Sequence, residues 1–363
     1  MIRQNDYCVI LAGGIGRRLW PRSINRKPKQ FLDFFGTGRT LLQQTFDRFA
    51  SFLPHDHIFI STFADYKHWV KEQLPEVDDA HILAEPVQLS TAPAVAWAAC
   101  HIAALNPQAN IIVSPTDQYV VHEDRFKQDI ERGFDFVAHH DGFLALGVPA
   151  TTPNTGYGYI QMGEEHDHTG YAHVKAFSEK PDAHFAQMFV DSGEFLWNTG
   201  LFLWNLKTLL PRISQFSSTA PLLLDCIQKG EYSPEKEAYW LERYYPSASY
   251  LSLDLCILER CNDVFVQKCD FGWADIGCWP ELYLTEHKDA DKNAVITHAQ
   301  VLFSGSSENL ISIPDDMVAV IQGLEGYLVA QEGKVLVICK NDDPARVRHM
   351  MNEAQLKIGE KYV

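Results

Sequence analysis

Gly13, Gly14 and Gly16 come just after a short apolar run, Tyr7-Cys-Val-Ile-Leu11, and just before Arg17, Arg18, Arg22, Arg26, Lys27 and Lys29, with no acid among these basic residues. Glycines without a Cβ let the backbone turn sharply and approach a ligand closely. Free amides beside concentrated cations, on a loop leaving a buried strand, make a polyphosphate site. The chain around it carries a formal charge of -16, so the loop is a local reversal of field that draws an anion to one spot. Neither familiar nucleotide fingerprint is complete. Leu19 stands where a dinucleotide loop has its third glycine, and no Gly-Lys-Ser/Thr follows.

Two aspartates supply the next chemistry. Asp117 lies in Ser-Pro-Thr-Asp-Gln, and Asp275 is the only acid of Phe271-Gly-Trp-Ala-Asp-Ile-Gly-Cys-Trp279. A hard cation such as Mg²⁺ takes one or two carboxylates together with phosphate oxygens and water. Read alone, each aspartate suits a turn or cap equally well. In Glu179-Lys180-Pro181, the proline ends a strand, Lys180 is a point charge suited to a phosphate monoester, and Glu179 can accept from sugar hydroxyls; a surface Glu-Lys pair has the same sequence.

The elements that must position these groups alternate. Strands are predicted over 7–11, 57–62, 81–84, 110–114 and 143–147, with helices from Thr40 to Phe52 and over 66–73, 94–105 and 124–138. Thr91 is predicted to cap the third helix, with Pro93 in its first turn. Such alternation gives a mostly parallel sheet covered by helices on both faces. The glycine loop and Asp117 then both leave strands at their carboxyl ends, where ligands bind, and should line one crevice. Residues 157–161 and 172–177 read as a hairpin, and helices fill 183–192 and 206–245. After about 290, short β runs between turns precede a last helix, 343–355, and no internal repeat is visible.

Composition excludes several classes. The acidic balance speaks against a nucleic-acid binder, and no apolar run is long enough to span a membrane. No signal-peptide h-region precedes the first strand, so a cytoplasmic protein is expected. The eight cysteines form no C-x-x-C pair and read as reduced, buried thiols rather than zinc ligands. His166, His168 and His173 read as a hydrated hairpin turn, and Arg346 and Arg348 as a solvated helix face.

Gly-Gly-Ile-Gly-Arg-Arg-Leu-Trp-Pro, with Pro28-Lys-Gln-Phe31 behind it, resembles the signature of the sugar-1-phosphate nucleotidylyltransferases, most closely their mannose-1-phosphate guanylyltransferase branch. The resemblance runs to about residue 285. It implies an α/β fold, a Rossmann-like (GT-A-like) nucleotidyltransferase sheet that is mixed but mostly parallel and flanked by helices. Residues 1–289 would form the catalytic domain and 290–363 a small β-rich C-terminal domain. Pro-Thr-Asp117 and Gly-Trp-Ala-Asp275-Ile-Gly-Cys-Trp match the two metal-ligand motifs, implying Mg²⁺ on both aspartates; Gln118 stands where the family has His. Leu11, Ala12, Gly13, Gly14 and Gly16 would hold the nucleotide phosphates. Glu85 with Ser90, Thr91 and Ala92 would lie against base and ribose, Ser90 replacing the usual Asn. Thr155-Gly-Tyr-Gly-Tyr-Ile160, Glu179-Lys180-Pro181 and Trp197-Asn-Thr-Gly-Leu-Phe202 match the sugar-phosphate motifs, so Gly158 would admit the sugar, Lys180 would take its phosphate, and Glu179 and Asn198 its hydroxyls.

The implied reaction joins GTP to mannose 1-phosphate, giving GDP-mannose and pyrophosphate, with Arg17, Lys29, Asp117 and Lys180 catalytic. Losing one such cation should cost on the order of 3 kcal/mol in the transition state. Another hexose 1-phosphate or nucleotide, and a non-catalytic GDP-mannose-binding homologue, are the alternative readings. A fused isomerase is not expected at this length, and a homo-oligomer is compatible with the sequence.

Overall fold

The apolar run ahead of the glycines forms the strand Asp6–Leu11, buried along almost its whole length. Its side chains are apolar on both faces because both faces are covered. The computed structural model describes residues 3–166, 170–213, 220–248 and 250–362, and packing divides the chain into two units.

Unit one comprises Met1–Gly13, Thr45–Thr116 and Val120–Trp273. Its nine-stranded sheet runs in the spatial order Ile82–Glu85, Ile58–Phe63, Asp6–Leu11, Asn110–Pro115, Phe195–Asn205, Phe143–Pro149, Val264–Lys268, Tyr171–Glu179, Gly158–His166. The first four strands are mutually parallel, as are Phe143–Pro149 and Val264–Lys268. Phe195–Asn205 runs antiparallel between its two neighbours, and the predicted hairpin closes the far edge. The result is the expected mixed α/β sheet. Leu11 pairs with Pro115, so the glycine loop and the Thr116 turn leave adjacent strands at the same end.

The helix Thr91–Leu105 is apolar nearly all round and is buried against Tyr7, Val9, Phe59 and Val113. On the other face Glu123–His139 brings Gly133 against Leu144 and Leu203, where an added Cβ would lie 3.1 Å from Leu203. Ser90, rather than Thr91, is the N-cap residue. Thr91 is the first helical residue, and its Oγ1 accepts from the Leu253 N–H at 2.9 Å. The helical stretch expected over 206–245 is three helices, Leu206–Ile213, Ala220–Gln228 and Pro234–Tyr244; residues 214–219 lie outside the described residues. His168 lies outside them too, while His166 and His173 pack edge-on or tilted against Phe265 rather than forming a wholly hydrated turn.

Unit two comprises Gly14–Gln44, Asp117–Tyr119 and Ala274–Val363. Leu19, Trp20 and Phe34 of the basic loop share one core with Trp279, Leu310, Leu328, Val347 and Met351. The indole of Trp279 donates to the Trp20 carbonyl at 2.9 Å, and that of Trp20 to the Tyr362 carbonyl at 2.8 Å. Thr40 caps its helix as expected: its Oγ1 accepts from the Gln43 N–H at 3.3 Å, and the Gln43 side chain accepts from the Thr40 N–H at 3.0 Å. The C-terminal β runs hold a repeat the sequence hid. Ala294 pairs in parallel with Leu310, Leu310 with Leu328, and Gln300 with Val318, so successive turns of chain stack. A buried ladder pins the stack, with Asn309 Nδ2 donating to Asn293 Oδ1 at 2.9 Å and Asn309 Oδ1 accepting from the Tyr327 N–H at 2.9 Å.

Candidate active site

In unit two the 3₁₀ turn Lys29–Phe31 carries Lys29 inward, where its ammonium pairs with the Asp117 carboxylate and lies 3.4 Å from the Ile276 carbonyl. Asp117 is fixed from behind as well, since its carbonyl accepts the Ile276 N–H at 2.7 Å. Asp275 stands one residue earlier, so both aspartates are held by the same short stretch of backbone. Burial acts to raise the Asp117 pKa, but the charge and hydrogen bond of Lys29 hold it below the usual carboxylate value. For Asp275 the balance is reversed: burial, and then the neighbouring Asp117 charge, push its carboxyl up to about 7 against the weaker pull of Lys29 and Arg18.

The Asp275 Oδ1 atom is buried and has no hydrogen-bond partner among the described residues. A buried carboxylate oxygen without a hydrogen-bond partner, beside a second carboxylate, is a donor pair that a cation would satisfy. Among the described residues no three His, Cys, Asp or Glu side chains gather to hold an ion. An ion held by these two carboxylates would complete its shell with water and substrate oxygens, the habit of Mg²⁺, so the donor set fits that ion.

Arg18 completes the cluster. A Cβ added at Gly277 would lie 2.7 Å from Arg18 Nη2 and 3.0 Å from Asp275 Oδ2, so the glycine leaves the room in which guanidinium and carboxylate meet. Arg17 is exposed on the 3₁₀ turn Arg17–Leu19. Not every basic residue of the loop faces the site. Arg22 lies 4.9 Å from the centre of the Phe34 ring and donates to the Asp33 carbonyl at 2.9 Å, a packing role.

The loop backbone is oriented by its carbonyls. The Gly13 carbonyl accepts from the Gln88 amide, and the Gly14 carbonyl from the Gln30 amide at 2.9 Å. With the carbonyls turned away, no hydrogen bond among the described residues uses the N–H groups of Gly13, Gly14 or Gly16. Ala12 differs: its N–H donates to Ser61 at 2.7 Å and its carbonyl accepts from the Thr62 hydroxyl at 2.8 Å, so it anchors the loop and offers no amide to a phosphate. The Leu11 carbonyl likewise takes the Thr116 hydroxyl at 3.4 Å.

Gly16 is left-handed, at φ 69°, and a Cβ there would sit 2.8 Å from Lys29 Cγ. Gly16→Ala is expected to lose about 2 kcal/mol in denaturant unfolding, from the left-handed backbone and the displaced lysine together. An unchanged midpoint would show that the loop reshapes freely.

In unit one Glu85 lies beneath the loop, its Oε1 3.5 Å from where a Cβ on Gly13 would be. Tyr245 donates to its Oε2 at 2.7 Å and Ser61 to its Oε1 at 3.3 Å. Burial pushes this carboxyl from its ordinary 4.5 up to about 7, against the two hydroxyl donors. Between these values the folded chain keeps a proton that the unfolded chain has lost, so stability falls as pH rises through the window and levels off above it. Glu85→Gln is expected to remove that slope and to be about 3 kcal/mol more stable than the parent at pH 8, the two converging near pH 4. Urea unfolding across this range checks it; a pH-independent difference would refute it.

Ser90 sits at the N-cap beside Thr91, while the Ala92 N–H donates to the Leu251 carbonyl at 3.3 Å, so Thr91 and Ala92 both tie the helix start to the 251–253 segment.

The third group forms on the hairpin. Glu179 and Lys180 pair with each other, and Lys180 has a left-handed backbone, φ 48°, held by its N–H on the Tyr157 carbonyl at 3.2 Å. A Cβ on Gly158 would meet Glu179 Oε2 at 2.7 Å and Asn198 Cβ at 3.4 Å. The space the glycine leaves is thus taken by the Glu179 carboxylate in this structure. Asn198 accepts from the Gly200 N–H at 3.0 Å and donates to Asp254 Oδ1 at 3.1 Å. Burial, with Glu179 nearby, raises the Asp254 carboxyl. Gln30, Ser61, Gln88, Tyr245 and Asp254 are polar groups to which the sequence analysis gave no role, and Arg18 was named there only as one of the loop's basic residues. Gln30 and Arg18 could have been found inside the loop motif; Gln88 and Asp254 had no local signal.

The Asp117–Asp275 pair thus lies in unit two and the Glu179, Lys180 and Asn198 group in unit one. The Nucleotidyl transferase family model matches residues 7–292, most of the chain. The chain belongs to the nucleotidyl transferase family. Within it the chain is similar, at 33% identity over 94% of its length and 70% of the relative, to alginate biosynthesis protein AlgA of Pseudomonas putida. Mannose-1-phosphate guanylyltransferase 2 of Escherichia coli O157:H7 is 28% identical over 98% of this chain and 74% of that protein. A Thermus thermophilus structure described as a mannose-1-phosphate geranyltransferase superposes with a TM-score of 0.84 and 26% identity, covering 97% of this chain and all of that one. As a member of this family the chain is an enzyme, a nucleotidyltransferase of a family that acts on nucleoside triphosphates and sugar 1-phosphates. Among the described residues no helix is long and apolar enough to cross a membrane.

Proposed function

We propose that this nucleotidyl transferase moves GMP from GTP to α-D-mannose 1-phosphate, forming GDP-mannose and pyrophosphate in the cytoplasm. The names of its relatives support the substrates. The observation that carries the chemistry is the Asp117–Asp275 pair, with one carboxylate neutralised by Lys29 and the other bearing a buried, unpartnered oxygen.

In this reading a phosphate oxygen of mannose 1-phosphate attacks the α-phosphorus of GTP in line. The new P–O bond forms as the bond to the β-phosphate oxygen breaks, and pyrophosphate departs with the electron pair. No general base is needed, because the nucleophile is already an anion. The N–H groups of Gly13, Gly14 and Gly16 take the triphosphate, and Arg17 and Arg18 neutralise the charge that builds on it. Glu85, beneath Gly13, and Ser90, at the helix start, support the nucleoside side. Lys180 exchanges Glu179 for the sugar's phosphate, which frees Glu179, with Asn198, for the sugar hydroxyls. Mg²⁺ held by Asp117 and Asp275 supplies charge neutralisation at the phosphates when bound. Lys29 holds Asp117 ionised and in place for it.

Pyrophosphate release is the test, with GTP or UTP against mannose 1-phosphate or glucose 1-phosphate, each with and without Mg²⁺. GTP with mannose 1-phosphate and Mg²⁺ should give the highest kcat/KM, and omitting the metal should abolish release. Preference for another pair would overturn the substrate assignment, and binding without turnover the reaction.

A further inference from the structure

In unit one two partners fix which way the Asn198 amide points. Its Oδ1 accepts from the Gly200 N–H at 3.0 Å, which leaves Nδ2 to donate to Asp254 Oδ1 at 3.1 Å. That nitrogen also borders the space left by Gly158, where an added Cβ would lie 3.6 Å from it and 2.7 Å from Glu179 Oε2. The space is thus bounded by a donor and an acceptor, and a sugar hydroxyl can match both at once. The Asn198 nitrogen has a second hydrogen for this purpose, the first being taken by Asp254.

Asp254 is carried by backbone with little freedom. Ser252 caps the helical turn Leu253–Cys256, its hydroxyl accepting from the Leu255 N–H at 3.3 Å. Leu253, Cys256 and Ile257 are buried in the same core as the helix Thr91–Leu105. The Leu251 carbonyl and the Leu253 N–H are bonded to the start of that helix, at Ala92 and Thr91. A side chain held on such a support keeps its partner in one geometry. Stability alone does not call for an acid here, because burial and the nearby Glu179 charge both work against the ionised Asp254 carboxyl.

We propose that Asp254 is a positioning residue for sugar recognition: by holding the Asn198 amide with its nitrogen toward Gly158, it makes Asn198 a hydrogen-bond donor to a hydroxyl of the sugar 1-phosphate. This rests on the proposed reaction, in which the group on the hairpin binds the sugar. Pyrophosphate release by the full chain, with GTP and mannose 1-phosphate, tests it in Asp254→Ala, Asn198→Ala and the double variant. Asp254→Ala should raise KM for the sugar phosphate about tenfold while KM for GTP stays within about twofold of the parent. Asp254→Asn, which keeps an acceptor oxygen, should recover most of that loss. Because Asp254 acts through Asn198, the double variant should be no worse than Asn198→Ala alone. Asp254→Leu, of similar size, keeps the test decisive if Asp254→Ala fails to fold. An unchanged KM for the sugar phosphate, an equal rise in both KM values, or additive losses in the double variant would overturn the proposal. If the parent instead prefers another sugar 1-phosphate, the substrate assignment fails, and the same cycle run with the preferred sugar still decides the role of Asp254.

Discussion

Asp275→Asn is expected to lower kcat by about 10²–10³-fold while leaving the protein at least as resistant to thermal unfolding as its parent. The two effects have one cause. Burial and the adjacent Asp117 charge already push the Asp275 carboxyl up to about 7, so ionising it works against the fold. Asparagine keeps the shape and one carbonyl oxygen but removes that charge, so the folded state loses burial and repulsion costs that outweigh the pull of Lys29 and Arg18; its Oδ1 has no hydrogen bond to lose among the described residues. On the proposed function, what disappears is the second negative ligand that would hold Mg²⁺. The Mg²⁺ concentration giving half-maximal rate should therefore rise together with the fall in kcat. Melting curves above pH 8, where the parent carboxylate is charged, and Mg²⁺ titrations of pyrophosphate release check both halves. A variant that melts earlier and keeps its rate would mean that Asp275 is a structural acid.

The sequence made some of these residues legible and concealed others for a physical reason. The strand Asp6–Leu11, the glycine loop and the Asn110–Pro115 strand with Asp117 just beyond it are local patterns, in which hydrophobic runs, glycines and basic residues fix conformation within a few positions. Their placement at adjacent carboxyl ends follows from parallel pairing, which alternation of strand and helix predicts. Contacts made across long loops were not legible. Gln88 turns the Gly13 carbonyl aside, and Arg18 shares the space above Gly277 with Asp275, through partners far away in sequence. The stacked β runs went unseen because their repeat is carried by spacing and by one buried pair, Asn293 and Asn309, rather than by recurring apolar letters. Local rules also misassigned a cap: Thr91 has the right side chain, but its hydroxyl is used by Leu253, and Ser90 takes the capping position. The glycines were visible as glycines, yet what fills the space they leave was not; at Gly158 it is the carboxylate of Glu179.

Lys29→Met should fail in the opposite manner to Asp275→Asn, losing stability and rate together. Lys29 is itself largely buried, and its ammonium is the charge that holds the Asp117 carboxyl below the usual range. Removing it leaves a sheltered carboxylate unpaired, which costs about 3 kcal/mol at neutral pH. The pair's contribution is present above the ordinary aspartate pKa and is lost as pH falls through the depressed one, so parent and variant should converge under acid conditions. Turnover should fall at least about 100-fold, because Asp117 is then free to take up a proton or turn away from the cation position. The decisive comparison is the double variant Lys29→Met/Asp117→Asn. Neutralising both partners abolishes the unpaired charge, so most of the stability should return, whereas the rate should stay at the level of the single variant or below it. Recovery of stability without recovery of rate would separate the two duties of this ion pair: a counter-charge the fold requires, and a negative ligand the reaction requires. If the double variant were no more stable than Lys29→Met, the lysine would be contributing packing by its stem rather than charge, and the assignment of Asp117 as its electrostatic dependent would fall.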